Sequence, residues 1–254
     1  MSALSNKVAI VTGASTGIGR STSKLFAREG ARVVVAARRQ AELDALVAEI
    51  AAAGGIAVAL AGDVKEEGYA QALVELAVAK FGGLDIAFNN AGTLGAMGAT
   101  SEVLLHDWAD TIATNLTSGF LGAKYQVPAM LARGGGSIIF TSSFVGYTVG
   151  FPGVAAYAAS KAGLIGLTQA LAAEFGARRI RVNALLPGAT DTPMGRLFAN
   201  TPEARSFIEG LYALKRMASP DEMAQSALYL AGDASSFTTG TAMLVDGGVS
   251  INRS

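Results

Sequence analysis

Short runs of β-branched and other apolar residues alternate with longer helical patterns along the whole chain. The runs are continuously apolar, which is typical of parallel strands covered on both faces. We predict strands at Val8–Val11, Val33–Ala36, Ile56–Leu60, Leu84–Phe88, Ser137–Thr141, Arg181–Leu185 and Met243–Val245. We predict helices at Ile18–Glu29, Ala41–Ala53, Glu66–Phe81, Trp108–Leu131, Val154–Phe175 and Asp221–Ala231. This alternation favours one α/β domain over residues 1–254, a doubly wound parallel sheet of about seven strands with helices on both faces.

Composition narrows the classes of function. The 254 residues are 51% hydrophobic and 16% charged, with 20 basic and 20 acidic side chains and no cysteine. A chain of this length buries a sizeable core without disulfides, and zero net charge gives no electrostatic reason to expect nucleic acid or a membrane surface as a partner. The chain shows no targeting segment and no run of about 20 apolar residues. We therefore expect a cytoplasmic protein that binds no nucleic acid, membrane or metal.

A glycine-rich turn follows the first predicted strand and leads into a helical pattern. Its residues are Thr12-Gly13-Ala14-Ser15-Thr16-Gly17-Ile18-Gly19. The three glycines allow a tight turn and close approach of the backbone to a phosphate, and the helix beyond offers free N–H groups and the positive end of its dipole. The turn therefore predicts a dinucleotide site. It also matches the G-x-S-x-G elbow of hydrolases, but that fold needs a histidine late in the chain, and the only one, His106, lies too early and is expected on the surface.

The end of the second predicted strand bears on which dinucleotide is bound. The residues there are Ala36-Ala37-Arg38-Arg39. In dinucleotide folds an acidic residue near this point binds the ribose 2′-hydroxyl of NAD, whereas arginine accommodates the 2′-phosphate of NADP. Because Ala37 provides no carboxylate and Arg38 provides a guanidinium, we predict NADP as the cofactor, with NAD as the alternative.

Tyr157 and Lys161 stand four residues apart in a helical pattern that is poor in other polar side chains. At that spacing both side chains lie on one face of the helix. A neighbouring positive charge favours the phenolate form, so a tyrosine placed in this way can exchange a proton with a substrate oxygen at neutral pH. Ser142 and Ser143, at the end of the fifth predicted strand, each offer a hydroxyl that could hold that oxygen. The pattern predicts proton transfer at an alcohol or carbonyl group.

Together these motifs resemble those of the short-chain dehydrogenase/reductase family over nearly the whole chain. The turn matches the family's T-G-x-x-x-G-x-G, Asn89-Asn90-Ala91-Gly92 matches N-N-A-G, and Pro187-Gly188 followed by Thr192 matches the stretch that cradles nicotinamide. The chain is similar to 3-oxoacyl-thioester reductases and related ketone reductases of that family. The resemblance implies a Rossmann-type domain that transfers a hydride between the nicotinamide of NADP(H) and a ketone or secondary alcohol.

The resemblance also implies a role for each matching residue. Tyr157 would be the general acid/base, and Lys161 would lower the pKa of Tyr157 and bind the nicotinamide ribose. Ser143 would bind the substrate carbonyl, and Asn115 would bend its helix and hold a water that links Lys161 to solvent. The residues expected to contact the cofactor are Gly13, Ser15, Thr16, Gly17, Ile18, Gly19, Arg38, Asp63, Val64, Asn90, Tyr157, Lys161, Pro187 and Thr192.

Two details of the family pattern refine these expectations. Ser143 is preferred to Ser142 because Gly146 follows Ser143 three residues later, as in the S-x-x-G pattern. Thr16 stands where relatives that prefer NADP often carry a basic residue. Arg38 alone is therefore expected to contact the 2′-phosphate.

Two segments carry more apolar surface than a single domain needs. Val154–Phe175 lacks a broad polar face, which predicts that one side meets a second subunit in a homo-oligomer, by resemblance a tetramer. Residues 189–215, which we name the lid segment, are loosely helical and rich in apolar side chains, so we expect them to cover an apolar substrate. The apolar residues expected to be exposed there are Leu197, Phe198, Phe207, Ile208, Leu211 and Tyr212.

Two alternatives to an NADP(H)-dependent reductase stay open. One is an NAD-dependent alcohol dehydrogenase of the same fold, and the other is a protein that binds a dinucleotide as a sensor without catalysis. Asn115, Ser143, Tyr157 and Lys161 are all present, which favours catalysis, because sensing needs only the cofactor contacts.

The sequence also leaves the substrate open. For a 3-oxoacyl thioester, Arg133 and Arg178 would offer a small basic site for an acyl carrier. An apolar wall formed by Phe144, Val149 and Phe151 fits many other hydrophobic ketones equally well.

Overall fold

The computed structural model describes residues 2–253, and its centre is one parallel sheet. The strands are β1 Val8–Thr12, β2 Arg32–Ala37, β3 Ile56–Ala61, β4 Ile86–Asn89, β5 Gly136–Thr141, β6 Ile180–Pro187 and β7 Ala242–Val245. They lie in the order β3-β2-β1-β4-β5-β6-β7. The predicted architecture is confirmed, and every predicted strand end lies within two residues of the observed one.

Eight α-helices connect the strands within residues 2–253. They are α1 Gly17–Arg28, α2 Gln40–Ala52, α3 Glu67–Phe81, α4 Leu105–Ile112, α5 Ser118–Ala132, α6 Ala155–Phe175, α7 Pro202–Leu211 and α8 Pro220–Ala231. The single helix predicted at Trp108–Leu131 is instead divided, because a π-helical turn at Ala113–Thr117 separates α4 from α5. In this part of the chain, no helix is both long and apolar enough to span a bilayer.

Helices cover both faces of the sheet. On one face α1, α2 and α8 contribute buried side chains that include Phe26, Leu46 and Leu230. On the other face α3, α5 and α6 contribute Leu73, Met130 and Leu164. Alternate residues of each central strand enter the two cores, which is why the strands are apolar throughout rather than amphipathic.

The strand order reverses at β1. β2 and β3 lie on one side of β1, and β4 to β7 lie on the other. The loops that leave the carboxyl ends of β1 and β4 therefore run in opposite directions and open a crevice, which is where ligands bind in sheets of this kind. Thr12, Asn89 and Thr141 end β1, β4 and β5, so the predicted site residues that follow each strand meet at one edge.

The lid segment contains a 3₁₀ turn at Gly195–Leu197 and helix α7. Leu197, Phe198 and Phe207 are exposed, as predicted, and Ile208 and Leu211 are half-buried. The expectation of an exposed Tyr212 is wrong, because only 4% of this residue is exposed. Its hydroxyl accepts a hydrogen bond from the Ala189 backbone N–H at 2.7 Å, which ties the end of α7 to the start of the lid segment.

Thr22 on α1 is fully buried, and its hydroxyl has no hydrogen-bond partner among residues 2–253. Leaving a buried polar group unsatisfied costs about 1–3 kcal/mol. We therefore expect Thr22→Val, which keeps the shape of the side chain, to raise the free energy of unfolding in urea by about 1 kcal/mol.

Thr168→Val is the matched control for this substitution. Thr168 is equally buried on α6, but its hydroxyl donates to the Leu164 carbonyl at 2.7 Å. Replacing it removes a hydrogen bond and should lower the free energy of unfolding by about 1 kcal/mol. A loss of stability in both variants would contradict the assignment of an unsatisfied hydroxyl to Thr22.

Candidate active site

Asn90 ties together the carboxyl ends of three strands. Its backbone N–H donates to Thr12 Oγ1 at 3.0 Å, and its side-chain amide donates to the Thr12 carbonyl at 3.1 Å. Thr141 Oγ1 donates to Asn90 Oδ1 at 3.1 Å. The side chain predicted to contact the cofactor is thus engaged in holding β1, β4 and β5 in register, and it fixes the glycine turn relative to β5.

Each glycine of the turn allows a different close approach. Gly13 and Gly17 have φ angles of +66° and +53°, in the left-handed region that favours glycine. A Cβ on Gly13 would lie 2.8 Å from Asn90 Nδ2, and one on Gly17 would lie 2.9 Å from Thr192 Cγ2. A Cβ on Gly19 would clash with the Gly13 carbonyl oxygen. The three glycine positions of the turn therefore have no room for a side chain, and Thr192 of the lid segment lies close to Gly17.

The first turn of α1 has the character of an anion site. Thr16 caps the helix without a side-chain hydrogen bond, and the first turn holds no acidic residue. Thr16 is exposed and Ser15 half-buried, whereas the Ile18 side chain packs against the core, which leaves the Ile18 backbone as its means of contact with a ligand. Free N–H groups at a helix N-terminus favour a phosphate.

Arg38 and Asp63 follow the adjacent ends of β2 and β3. Arg38 is exposed and makes no hydrogen bond or ion pair within the described part of the chain, while its neighbour Arg39 pairs with Glu42 at 2.9 Å. Asp63 and Val64 are half-buried at the same edge of the sheet. The Arg38 guanidinium is thus available for an external anion.

Lys161 on α6 is held at the end of β5. Only 4% of the residue is exposed, and Nζ donates to the Thr141 carbonyl at 2.7 Å. Burial disfavours the charged form and lowers the pKa of the Lys161 ammonium to about 8. A Cβ on Gly92 would lie 3.2 Å from Nζ, so the N-N-A-G backbone passes close to the ammonium. Nζ lies 5.8 Å from the centre of the Tyr157 ring.

Tyr157 and Ser143 are neighbours at the end of β5, close enough for the Ser143 side chain to act on the Tyr157 pKa. Ser143 is buried, and its Oγ accepts from the Val145 N–H at 3.1 Å. Burial raises the pKa of Tyr157, and the hydrogen bond with Ser143 opposes this only in part. Burial and Ser143 account for this direction, and the lowering of the Tyr157 pKa by Lys161 that the resemblance implies stays a prediction.

The two candidate serines have different partners. Ser142 Oγ donates to the Lys161 carbonyl at 2.7 Å, which fixes α6 against the end of β5. The hydroxyl of Ser142 therefore faces the helix backbone, and that of Ser143 faces Tyr157. This geometry favours Ser143 as the serine that meets a substrate oxygen.

Asn115 lies in the π-helical turn and is 2% exposed. Its Nδ2 donates to the Thr93 carbonyl at 2.9 Å and to Ser160 Oγ at 3.0 Å, and its Oδ1 accepts from the Thr93 N–H at 2.8 Å. The side chain therefore joins the loop after β4 to α6, between Tyr157 and Lys161. The π turn places Asn115 where the two elements approach, as such turns often do at functional sites.

Pro187 and Thr192 lie on the other side of the crevice. Pro187 ends β6 beside β7, and Thr192 Oγ1 accepts from the Gly195 N–H at 3.1 Å. The contact of Thr192 with Gly17 brings the two predicted halves of the cofactor site together.

Four residues that shape the site were given no role of their own in the sequence analysis, although Thr12 and Gly92 belong to its motifs: Thr12, Thr141, Gly92 and Ser160. The position of Thr12 and Thr141 at strand ends could have predicted that they lie at the site. No sequence pattern could have predicted the hydrogen bond of Ser160 to Asn115, because the two residues lie 45 positions apart.

Three residues considered for other roles have local partners. His106 is on the surface as predicted, with 75% of its side chain exposed. Arg133 pairs with Asp85 at 3.1 Å, and the Arg178 guanidinium stacks 4.4 Å from the centre of the Phe175 ring. Both guanidinium groups thus have a partner within the chain, and their role as a basic site for an acyl carrier stays a prediction.

Gly19→Ala tests the glycine turn. The added methyl meets the backbone carbonyl of Gly13, which cannot move without distorting the turn. We therefore expect the affinity for NADPH to fall at least about 100-fold, which is the effect of losing one charge-assisted hydrogen bond. Fluorescence titration measures this affinity. Gly68→Ala is the control, because Gly68 also lies in the first turn of a helix and a Cβ there meets nothing within 4 Å. An equal loss in both variants, or none in Gly19→Ala, would refute the close approach.

Comparisons with known proteins agree with this arrangement. A family model described as enoyl-(acyl carrier protein) reductase matches residues 13–250. The chain is 41% identical over 242 residues to cyclohexanol dehydrogenase from Acinetobacter sp. (strain SE19), covering 95% of this chain and 94% of that protein.

Solved structures give the same result. A short-chain type dehydrogenase/reductase from Mycobacterium marinum has a TM-score of 0.92 and 37% identity, covering 98% of this chain and 97% of that one. A Beutenbergia cavernae protein with NADP bound at low occupancy has a TM-score of 0.91 and 36% identity, covering 97% and 98% of the two chains. Enzymes of this family use the nicotinamide cofactors NAD or NADP. The chain belongs to the short-chain dehydrogenase/reductase family and is an oxidoreductase that acts on CH–OH or C=O groups.

Proposed function

We propose that this protein uses NADP(H) to interconvert an apolar ketone and its secondary alcohol, with Tyr157 as the proton donor and acceptor. The observation that carries the proposal is the meeting of Ser143, Tyr157 and Lys161 at the carboxyl end of β5. The hydrogen bonds of Asn90 fix this end of β5 relative to the glycine turn.

The residues at this edge fit a nicotinamide dinucleotide. The glycine turn leaves the backbone open to a pyrophosphate, and Thr192 lies beside Gly17. Arg38 offers a guanidinium that has no partner among residues 2–253. Asp63 and Val64 would hold the adenine end, and Pro187 and Thr192 the nicotinamide end. When bound, the nicotinamide supplies the hydride to a carbonyl carbon or takes it from an alcohol.

The chain's own residues account for the proton. In the reductive direction Ser143 holds the carbonyl oxygen and Tyr157 donates its proton to that oxygen. The raised pKa of Tyr157 keeps it protonated at neutral pH, which is the form that this direction requires. Lys161 stabilises the phenolate that remains, and Asn115 and Ser142 position α6. Oxidation of the alcohol follows the same path in reverse.

The surroundings of Tyr157 favour an uncharged, apolar substrate. Residues 143–160 include no charged side chain, and the rings of Phe144 and Phe151 form an edge-to-face pair 6.0 Å apart. Four charged side chains of the lid segment pair with one another: Asp191 with Arg196 and Arg205, and Arg205 with Glu209. A charged substrate group beside Tyr157 would lose hydration without gaining an oppositely charged partner from residues 143–160. The similarity to cyclohexanol dehydrogenase supports a cyclic alcohol or ketone as a member of this substrate class.

Tyr157→Phe tests the proton-transfer role. Loss of the hydroxyl removes the general acid, so kcat for cyclohexanone reduction should fall about 10³-fold. The affinity for NADPH should stay within a factor of about two, because only the hydroxyl is lost. Stopped-flow absorbance at the NADPH band measures the first and fluorescence titration the second. Unchanged turnover would reject the role. A wild-type protein that binds NADPH and reduces no ketone in a broad panel would indicate a sensor.

Arg38→Ala tests the choice of cofactor. If Arg38 contacts the 2′-phosphate, the substitution should weaken NADPH binding about 10- to 100-fold, the worth of a charge-assisted hydrogen bond, and leave NADH binding unchanged. Arg39→Ala is the matched control, because Arg39 is engaged with Glu42. Tighter binding of NADH than of NADPH by the wild type would favour the NAD-dependent alternative.

We also propose a homo-oligomer, a tetramer, built in part on α6. Its outer face exposes small residues at helical spacing, at Ala159, Gly166, Ala170 and Ala173. Such a face allows close helix packing and explains the missing polar side. Sedimentation equilibrium should give about four times the 25.8 kDa chain mass. A side chain at Gly166 meets open space within one chain, so Gly166→Arg should leave the fold intact and lower the measured mass by disrupting the contact between subunits. A monomeric wild type would refute the proposal.

A further inference from the structure

The segment 246–252, which we name the C-terminal segment, begins at the carboxyl edge of the sheet. It follows β7, which pairs with β6 so that Val245 lies beside Pro187. The Gly188 N–H donates to the Val245 carbonyl at 3.0 Å, and a Cβ on Gly188 would lie 2.8 Å from the Asp246 Cα. The segment therefore leaves the sheet next to the stretch assigned to the nicotinamide end of the crevice.

A buried carboxylate shapes this segment into a fixed turn. Asp246 is 9% exposed, and its two carboxylate oxygens accept from the Gly248 N–H at 3.0 Å and the Ser250 N–H at 3.2 Å. Gly247 and Gly248 have φ angles of +58° and +82°, which suit glycine. The turn determines the direction in which Val249 projects.

Val249 and the Tyr157 ring share one apolar cluster. Val249 packs against the apolar cluster of Phe144, Val145 and Val154, against which the Tyr157 ring also packs. The next residue, Ser250, hydrogen-bonds the Thr148 hydroxyl of the same wall. Val249 therefore shares an apolar surface with Tyr157, and Phe144 of that surface directly follows Ser143 in the chain.

The C-terminal segment also holds the end of the lid segment. The Leu214 N–H donates to the Gly247 carbonyl at 3.1 Å, and Asn252 Nδ2 donates to the Leu211 carbonyl at 3.0 Å. The segment thus connects the wall at residues 144–154 with the lid segment, and Val249 lies at the wall side of this connection.

We propose that Val249 is a specificity-determining residue that limits the size of the apolar group on the substrate's carbonyl carbon. The proposal rests on the proposed function, because it assigns one wall of that substrate site. Val249 would act sterically, because two methyl groups held by a rigid turn exclude larger rings. In apolar pockets in general, one methylene of the substrate changes kcat/KM about 10- to 200-fold.

The first experiment compares Val249→Ala with the wild type on cyclopentanone, cyclohexanone and cyclooctanone, using NADPH. We expect the ratio of kcat/KM for cyclooctanone over cyclohexanone to rise at least about tenfold, with the KM for NADPH unchanged. Ile251→Ala is the matched control, because Ile251 lies in the same segment and is 80% exposed. The same ratio in Val249→Ala and the wild type, or an equal rise in Ile251→Ala, overturns the proposal.

The second experiment does not depend on turnover. Because the chain has no cysteine, Val249→Cys and Ile251→Cys each introduce the only thiol. We expect cyclohexanol together with NADP⁺ to slow the alkylation of the Val249→Cys thiol by iodoacetamide at least fivefold. This factor corresponds to protection of about 1 kcal/mol by an occupied site. The alkylation rate of the Ile251→Cys variant should stay unchanged. Absence of protection at 249 overturns the proposal, whether or not the wild type reduces ketones.

The two experiments separate two kinds of failure. A wild type that reduces cyclohexanone while Val249 variants show neither altered selectivity nor protection refutes the role of Val249 alone. A wild type that reduces none of the ketones with NADPH or NADH refutes the proposed function, and the protection result then decides whether Val249 lines an alcohol site.

Discussion

A continuous set of hydrogen bonds at the carboxyl edge of the sheet connects the glycine turn to the proton-transferring residues. Asn90 joins Thr12, at the end of β1, to Thr141, at the end of β5, and the Thr141 carbonyl accepts from the Lys161 ammonium. Because Thr12, Thr141 and Lys161 are buried, breaking any of these bonds leaves a polar group without water or a partner. The distance between the turn and Tyr157 is therefore set by this network rather than by loop contacts.

Burial then acts in opposite directions on the two titratable groups that the network positions. It lowers the pKa of Lys161 and raises the pKa of Tyr157, because a low-dielectric surrounding disfavours both the ammonium and the phenolate. The free protein consequently holds a neutral phenol beside Ser143, ready to donate a proton. A nearby lysine does not by itself make a tyrosine acidic, since its effect depends on how much each group is desolvated.

The sheet and most of the site could be predicted because their signals are local. Each strand is buried on both faces, so its boundaries appear as apolar runs, and the glycine turn and Tyr157–Lys161 pair are short motifs. The helical pattern continues through the π turn at Ala113–Thr117 without a break, so periodicity did not reveal it, and only the resemblance implied a bend at Asn115. The burial of Tyr212 and the packing of Val249 depend on contacts between distant segments, which periodicity does not reveal.

The burial of Lys161 between Thr141 and the N-N-A-G backbone is the condition on which the site depends, and NMR titration measures it directly. In protein labelled with ¹³Cε-lysine, the Lys161 resonance is identified by its absence from the Lys161→Met variant. The geometry predicts a pKa of about 8 for Lys161 in the free protein. A pKa near the ordinary value of 10.5 would show that the ammonium is solvated and that the arrangement with Tyr157 and Ser143 is not formed.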